Sequence, residues 1–204
     1  MNVQLSPILD FNSNTSKGML FDTRDGQSYP VVKIGNQIWL AENFRYLPSL
    51  EKGDKYDTSY VYKNDNNYLD KGYGRLYDYD TANNIAPEGW RLPSNKDFQE
   101  LIDFIKKDND FGYGKDRVGS YLKSVNGWAP CDGIKPNNDK YGFSAKPAGC
   151  YVKNQKFSTT LMVMRASGVL RRAIVITPTV IACSTTKMKF SAVMNLVAVD
   201  FLLG

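Results

Sequence analysis

The strongest helical pattern in the chain follows Ser94. Apolar residues recur there at the spacing of a single helix face, at Phe98, Leu101, Ile102 and Ile105. Ser94 is a favoured N-cap residue, and Asp97 stands three positions later, where its carboxylate completes a variant of the capping box. Pro93 disfavours a helical conformation at the residue before it. The pattern therefore predicts a helix that begins after Ser94 and buries one face.

Trp90 and Leu92 precede this helix on a segment that its glycine and prolines should keep extended. We expect both side chains to cover the near end of the helix. A single core should then contain them, the apolar helix face, and Ile38 or Trp39.

A β-hairpin is predicted around the dipeptide Gly35-Asn36. Apolar runs flank it on both sides, which is typical of a two-residue hairpin turn. Ile38 and Leu40 should face the core, while Trp39 covers the opposite face of the strand. Packing is the preferred interpretation of Trp39, because an indole ring buries a large area, and a ligand platform is the alternative.

Two further elements are predicted downstream. Asp116 can cap a short helix that ends at Gly127 and whose apolar face consists of Val118, Tyr121, Leu122 and Val125. Residues 141–145 have the composition of a strand. The order of hairpin, long loop, helix, short helix and strand predicts an α+β fold with two helices and a small, mainly antiparallel sheet.

Residues 51–84 predict a loop-rich surface segment, because they are rich in Asp, Asn, Gly and Tyr. Tyr in this company is typical of adaptable binding surfaces, where a rigid amphipathic ring supplies contact area at low entropic cost. The ligand-binding candidates are Tyr62, Tyr68, Tyr73 and Tyr79, with Trp128 further along the chain. Anchoring of the loop is the other interpretation, and it is the preferred one, above all for Tyr77.

Composition removes several classes of function. The chain of 204 residues has no His and a net charge of +5, and five basic residues against one acidic residue follow position 157. The preceding part is nearly neutral, so we predict no nucleic-acid partner. The three cysteines, Cys131, Cys150 and Cys183, lack zinc-site spacing, and Asp65 to Asp70 lacks the pattern of a calcium loop. We predict no metal and no cofactor, and leave open whether Cys131 and Cys150 form a disulfide or remain thiols.

Five blocks of sequence together resemble the Fibrobacter succinogenes major paralogous domain. They read DTRDGQSY at residues 22–29, VKIGNQIWLAEN at 32–43, YGRLY at 73–77, GWRLPS at 89–94 and GFSAKPAG at 142–149. The resemblance implies a C-type-lectin-like fold, related to that of the formylglycine-generating enzymes, and a place on the cell surface, in lipoproteins or among secreted proteins. We therefore divide the chain into a polar linker at 1–21, the domain at 22–157 and a tail at 158–204. No signal peptide and no membrane span are visible in the chain.

The tail differs in composition from the rest of the chain. All 13 tyrosines and all three tryptophans lie at or before Tyr151, and the tail is rich in Val, Met, Ala, Thr and Ile. A reading-frame shift explains this change, and a native but unusual C-terminus is the alternative. With synonymous bases chosen freely, a shifted frame through residues 166–172 reads FWSSTE, and the same frame ends in GFSVR, two phrases typical of the family. The apolar segments that replace them are prone to β-structure and aggregation.

Three functions follow as hypotheses. The preferred one is a non-catalytic binding module for polysaccharide or a surface protein. An enzyme of the formylglycine-generating type is the second, although its chemistry uses cysteines in the C-terminal part, where only Cys183 lies. A diversified lectin-like receptor is the third.

The frameshift predicts a specific gene sequence. Adding or removing bases near the codons of Phe157 and Ser158 should open a frame that encodes FWSST-like and then GFSVR-like text. Nucleotide sequencing of this region is the test. Stop codons in the shifted frame would refute the frameshift and make the apolar tail native.

Overall fold

The protein has an α+β fold in its computed structural model, which describes residues 8–11, 16–108, 118–128, 137–148, 151–152, 190–193 and 197–198. The strands are β1 Ile8–Phe11, β2 Lys17–Asp22, β3 Gln27–Ile34, β4 Gln37–Leu40, β5 Ser59–Val61, β6 Arg75–Tyr77, β7 Tyr151–Val152, β8 Phe190–Val193 and β9 Val197–Ala198. The helices are α1 Tyr79–Asn84, α2 Asn95–Asp108 and α3 Val118–Leu122.

These strands form two antiparallel sheets. One has the order β1-β2-β3-β4-β9, and the other has the order β5-β6-β8-β7. The predicted α+β class, with antiparallel strands and long loops, is confirmed. The prediction of two helices is incomplete, because α1 was not anticipated; the Asp78 carboxylate caps it by accepting a hydrogen bond from the Thr81 amide at 2.8 Å.

The predicted hairpin is confirmed as β3 and β4. Val32 pairs with Trp39 and Ile34 pairs with Gln37, which leaves Gly35 and Asn36 as the turn. Gly35 has a φ of 62°, and a Cβ atom there would lie 2.9 Å from the Phe104 ring. Glycine is therefore required at this turn both by its backbone conformation and by the close approach of α2.

The segment expected as a polar linker contributes β1 and β2. Strand β2 pairs with β3 and buries Leu20 and Asp22, while the apolar side chains of Met19 and Phe21 are 44% and 38% exposed. Apolar side chains therefore lie on both faces of β2 and a carboxylate lies on the buried face, so hydrophobic alternation does not indicate the strand. The buried Asp22 carboxylate is neutralised by Arg24, whose two nitrogens donate to it at 2.9 and 2.7 Å.

The sequence predicts a single core, but the structure has two, because neighbouring residues on β3 and β4 face opposite sides of the sheet. Core 1 contains Ile38, Leu40, Trp90 and Leu92, together with Tyr29, Phe44, Tyr77 and Ile85. Core 2 contains Trp39, Phe98, Leu101, Ile102 and Ile105, together with Val32, Ile34, Leu122 and Phe143.

Trp39 is fully buried in core 2 and packs against Phe98 and Phe143, with ring centroids 5.2 and 5.5 Å away. It fills the space between the sheet and α2. Trp90, 6% exposed, occupies core 1. Both indoles are packing residues, and neither lies in an open cleft.

Two predicted elements differ from the structure. Helix α3 ends at Leu122, and Val125 is 63% exposed beyond it. Residues 141–145 form one parallel bridge, between Lys123 and Ala145, in place of a strand. The reason is local, because Asp139 and Ser144 adopt left-handed conformations and the Asp139 carboxylate accepts a hydrogen bond from the Ser144 amide at 2.8 Å. Asp116 and the three cysteines lie outside the described residues.

Strands β8 and β9 come from the tail and pair with β6 and β4. The rest of the tail, including the segment that the frameshift argument reads, lies outside the described residues. The expected tendency of this part to form β-structure and to aggregate therefore stays a prediction.

The capping box at the start of α2 is confirmed. The Ser94 amide donates to the Asp97 carboxylate at 2.6 Å, and the Asp97 amide donates to the Ser94 hydroxyl at 3.4 Å. Arg91 adds a bidentate ion pair, with both donor–acceptor distances at 2.7 Å. Burial alone would raise the pKa of Asp97, but the hydrogen bonds from Arg91 and Ser94 hold its pKa at about 2.

Acid should weaken the fold through Asp97. The ordinary pKa of this carboxyl is 3.8 and the folded-state value is lower. Its contribution of about 2 kcal/mol is therefore present above about pH 4 and is lost as the pH falls toward 2. We expect Asp97→Asn to lower the free energy of unfolding at pH 6 and to lower it much less at pH 2.5, as measured by denaturant titration of tryptophan fluorescence.

Asp103→Asn, on the exposed face of the same helix, is the matched control and should change the free energy of unfolding by less than about 0.5 kcal/mol. An Asp97→Asn effect that is equal at both pH values would contradict this assignment.

Candidate ligand-binding surface

Three of the predicted ligand-binding residues lie on the loop between β5 and β6. These two strands pair antiparallel, with Ser59 opposite Tyr77 and Val61 opposite Arg75. The pairing brings the two ends of residues 62–74 together, so Tyr62 and Tyr73 stand side by side at the base of the loop. Short turns of 3-10 and π-type helix, at Tyr62–Asn64, Asn66–Tyr68 and Leu69–Tyr73, fold the loop back over its base.

The loop packs Tyr62, Tyr68 and Tyr73 into one group, which we call the tyrosine cluster. The rings of Tyr62 and Tyr73 are stacked, with centroids 5.0 Å apart and an angle of 28° between planes. Tyr68 meets both edge-on, at 4.9 Å from Tyr62 and 5.1 Å from Tyr73. All three side chains are half-buried, so each ring has one part packed against a neighbour and another part in solvent.

Two lysines lie against these rings. The Lys63 ammonium is 5.4 Å from the ring centre of Tyr62 and 5.5 Å from that of Tyr68, and the Lys71 ammonium is 5.1 Å from that of Tyr68. The Lys63 ammonium also donates to the Tyr68 hydroxyl at 3.5 Å, and this hydrogen bond raises the pKa of Lys63. Partial burial, and after it the neighbouring tyrosines, raise the pKa of Tyr73. The cluster thus combines phenol rings with two ammonium groups.

The loop holds this arrangement with an uncommon backbone conformation. Lys63 and Asn64 both have positive φ, at 54° and 55°, although neither is glycine. Such residues are strained and persist only where the surroundings hold them, which is common at functional sites. Asp65 follows and stabilises the next turn by accepting a hydrogen bond from the Asn67 amide at 3.0 Å.

The base of the cluster is fixed by the segment that follows β4. The buried Asn43 donates its side-chain amide to the Tyr73 carbonyl at 3.0 Å, and its backbone amide donates to the Gly72 carbonyl at 3.3 Å. One residue further along, the Phe44 carbonyl accepts a hydrogen bond from the Arg75 amide at 2.9 Å. In the sequence, the block Ala41-Glu42-Asn43 stands out only through the family resemblance. Nothing in its residues predicts that it positions tyrosines.

Glu42 is a second residue that sequence reasoning missed. It lies beside Gly72, where a Cβ atom would be 3.6 Å from its carboxylate, and it forms an ion pair with Arg45. Burial raises the pKa of Glu42, and the positive charges of Arg45 and Lys146 oppose that effect. Its charge is therefore balanced within the structure, below the tyrosine cluster.

The remaining predicted residues occupy three different settings. Trp128 is half-buried against core 2, donates to the Ala145 carbonyl at 2.9 Å, and has the Lys123 ammonium 4.4 Å from its ring centre. It lies near the cluster, because a Cβ atom at the adjacent Gly127 would be 3.1 Å from the Tyr73 hydroxyl. Tyr79 is 69% exposed at the first position of α1, apart from the three packed rings. Tyr77 is fully buried, and its hydroxyl donates to the Tyr46 carbonyl at 2.6 Å, so it anchors the fold.

The described residues contain neither a metal-ligand cluster nor a membrane-spanning helix. In that part of the chain no three His, Cys, Asp or Glu side chains are grouped so that they could hold a metal ion. Nor does any described helix combine the length and apolar character needed to cross a bilayer.

Together, these features define a small α+β domain with two antiparallel sheets and an aromatic surface loop. The family model described as Fibrobacter succinogenes major domain matches residues 32–169, about two thirds of the chain, and the protein belongs to this family. No curated protein and no solved structure matches the chain. The matched range contains the end of β3 with its turn and β4, the tyrosine cluster and the capping box, and it extends twelve residues beyond position 157. The predicted boundaries at residues 22 and 157 stay predictions.

Gly74 should be indispensable for the position of the cluster. It has a φ of 61° and a ψ of −158°, and a Cβ atom there would lie 2.5 Å from the Asn43 Cβ and 2.6 Å from the Phe44 carbonyl oxygen. Gly53 has a φ of 90° with no atom within 4 Å of its Cβ position, so it is a control for a positive φ without steric overlap. We expect Gly53→Ala to cost about 1–2 kcal/mol and Gly74→Ala about 2–5 kcal/mol, because the second also forces the two segments apart. Denaturant unfolding measures both. Equal losses of stability in the two variants would mean that the close approach of Asn43 and Phe44 to Gly74 does not constrain the fold.

Proposed function

We propose that the protein is a non-catalytic binding module of the cell surface or of secreted chains, and that it binds polysaccharide through the tyrosine cluster. The observation that carries this proposal is the convergence of Tyr62, Tyr68 and Tyr73, three ligand-binding candidates brought together on one half-exposed loop. Sugar rings have apolar faces that pack on aromatic rings, and their hydroxyls can hydrogen-bond with the phenol groups. Rigid rings supply this contact area at low entropic cost.

The strained backbone at Lys63 and Asn64 supports a binding role for the loop. Non-glycine residues in this conformation cost energy, and they cluster where side chains are held ready for a ligand. Trp128, near Tyr73 and half-buried, extends the aromatic surface. A C-type-lectin-like fold and a surface location form part of the proposal and derive from the family resemblance. A surface protein is the alternative ligand that a protein-binding assay would reveal.

A glycan array tests the proposal directly. The full chain should bind at least one class of polysaccharide, and Tyr62→Ala or Tyr68→Ala should weaken that binding about tenfold, the effect of losing a well-packed aromatic contact. Tyr56→Ala is the matched control, because Tyr56 lies outside the cluster yet also has a lysine, Lys55, 5.2 Å from its ring centre. Thermal unfolding of each variant checks that the fold is kept. Binding that survives both cluster substitutions, or an array without any bound glycan, would refute the proposed function.

A further inference from the structure

The tyrosine cluster combines aromatic rings with positive charge in a way that selects among polysaccharides. Lys63 and Lys71 reach the ring of Tyr68 with their ammonium groups 5.5 and 5.1 Å from its centre. Both lysine side chains are exposed, and the ion pairs seen among the described residues include neither of them. Their remaining N–H donors can therefore serve a ligand.

The carboxylates around the cluster are mostly engaged within the protein. Asp65 accepts a hydrogen bond from the Asn67 amide, and Glu42 is paired with Arg45 and lies near Lys146. Asp70, beside Lys71 in the chain, is exposed and close enough to Glu42 to influence it. Asp70, and Asp65 whose one hydrogen bond comes from a neutral amide, are thus the acidic groups that can oppose an anionic ligand at this surface.

From this juxtaposition we infer that the cluster binds an acidic polysaccharide, a polymer of uronic acid residues. This inference rests on the proposed function and names its ligand class. A uronate residue offers a sugar face to a tyrosine ring and a carboxylate to a neighbouring ammonium group. Hydrogen bonds between ionised groups are stronger than those between neutral groups, so the lysines favour the charged sugar over its neutral counterpart.

Single-stranded nucleic acid is the other polymer that combines flat rings with negative charge. It is bound through grooves in which many basic residues follow the phosphates and bases stack on aromatic side chains. The chain has 21 basic and 20 acidic residues before position 158, and among the described residues Lys63 and Lys71 are the basic side chains whose ammonium groups lie against the rings of the cluster. Two local charges suit spaced carboxylates better than a continuous phosphate chain.

Polygalacturonate and its methyl ester form a matched pair of probes, because esterification removes the charge and keeps the sugar. Titration of the full chain with each polymer at low salt should show at least about tenfold tighter binding of the acid form. Lys63→Gln combined with Lys71→Gln should abolish this preference, so that the acid form binds no tighter than the ester. Asp70→Asn should strengthen binding of the acid form only. Lys55→Gln, beside Tyr56, is the control and should change neither affinity.

The outcomes separate this inference from the proposed function. Equal binding of both polymers, lost in Tyr62→Ala, would keep the binding module and overturn its acidic specificity. A failure to bind polygalacturonate in a protein that binds neutral glycans on the array would do the same. Binding of poly(dT) as tight as that of polygalacturonate would also overturn the inference. Absence of binding to any glycan would refute the proposed function itself.

Discussion

Burial of both faces of the β3–β4 hairpin is the constraint on which the rest of the structure depends. Leu40 is fully buried on one face and Trp39 on the other, so each face requires its own cover. Helix α2 supplies the cover over Trp39, and the segment that includes Trp90 and α1 supplies the cover over Leu40. A sheet buried on two sides cannot shift its register by one residue without exchanging the two sets of side chains.

The hairpin turn also determines where α2 sits. Gly35 allows the Phe104 ring to approach the turn, and the buried Gln37 donates its side-chain amide to the Asp97 carbonyl at 3.2 Å. Asp97 is in turn held by Ser94 and Arg91 at the first turn of the helix. The polar network that starts the helix is therefore connected to the turn of the hairpin, and the two elements are docked at both ends of their contact.

The same hairpin positions the tyrosine cluster through the residues that continue β4. Asn43 and Phe44 cross the chain at Gly74, with backbone atoms too close for any side chain there. This crossing sets the direction in which the β5–β6 loop leaves the sheet. The packing of core 1 and the position of the tyrosine cluster are thus coupled through this contact. A substitution at Gly74 should therefore disturb both.

The sequence by itself determined the elements whose signals are local. The capping box of Ser94 and Asp97 and the Gly35-Asn36 turn each depend on contacts within a few residues, so periodicity and turn chemistry were sufficient for α2 and the hairpin. Tertiary structure alone decided the rest. Strand β2 exposes Met19 and Phe21, so its sequence lacks the usual alternation of apolar and polar residues. The Asp139 side chain holds Ser144 in a conformation that a strand does not allow. The structure has two cores where one was expected, because β3 and β4 are buried on both faces. Tyr62, Tyr68 and Tyr73 are predicted as individual candidates, but only the pairing of the short strands β5 and β6 brings their rings into contact. These strands are joined by residues 62–74, a longer connection than local turn signals can specify.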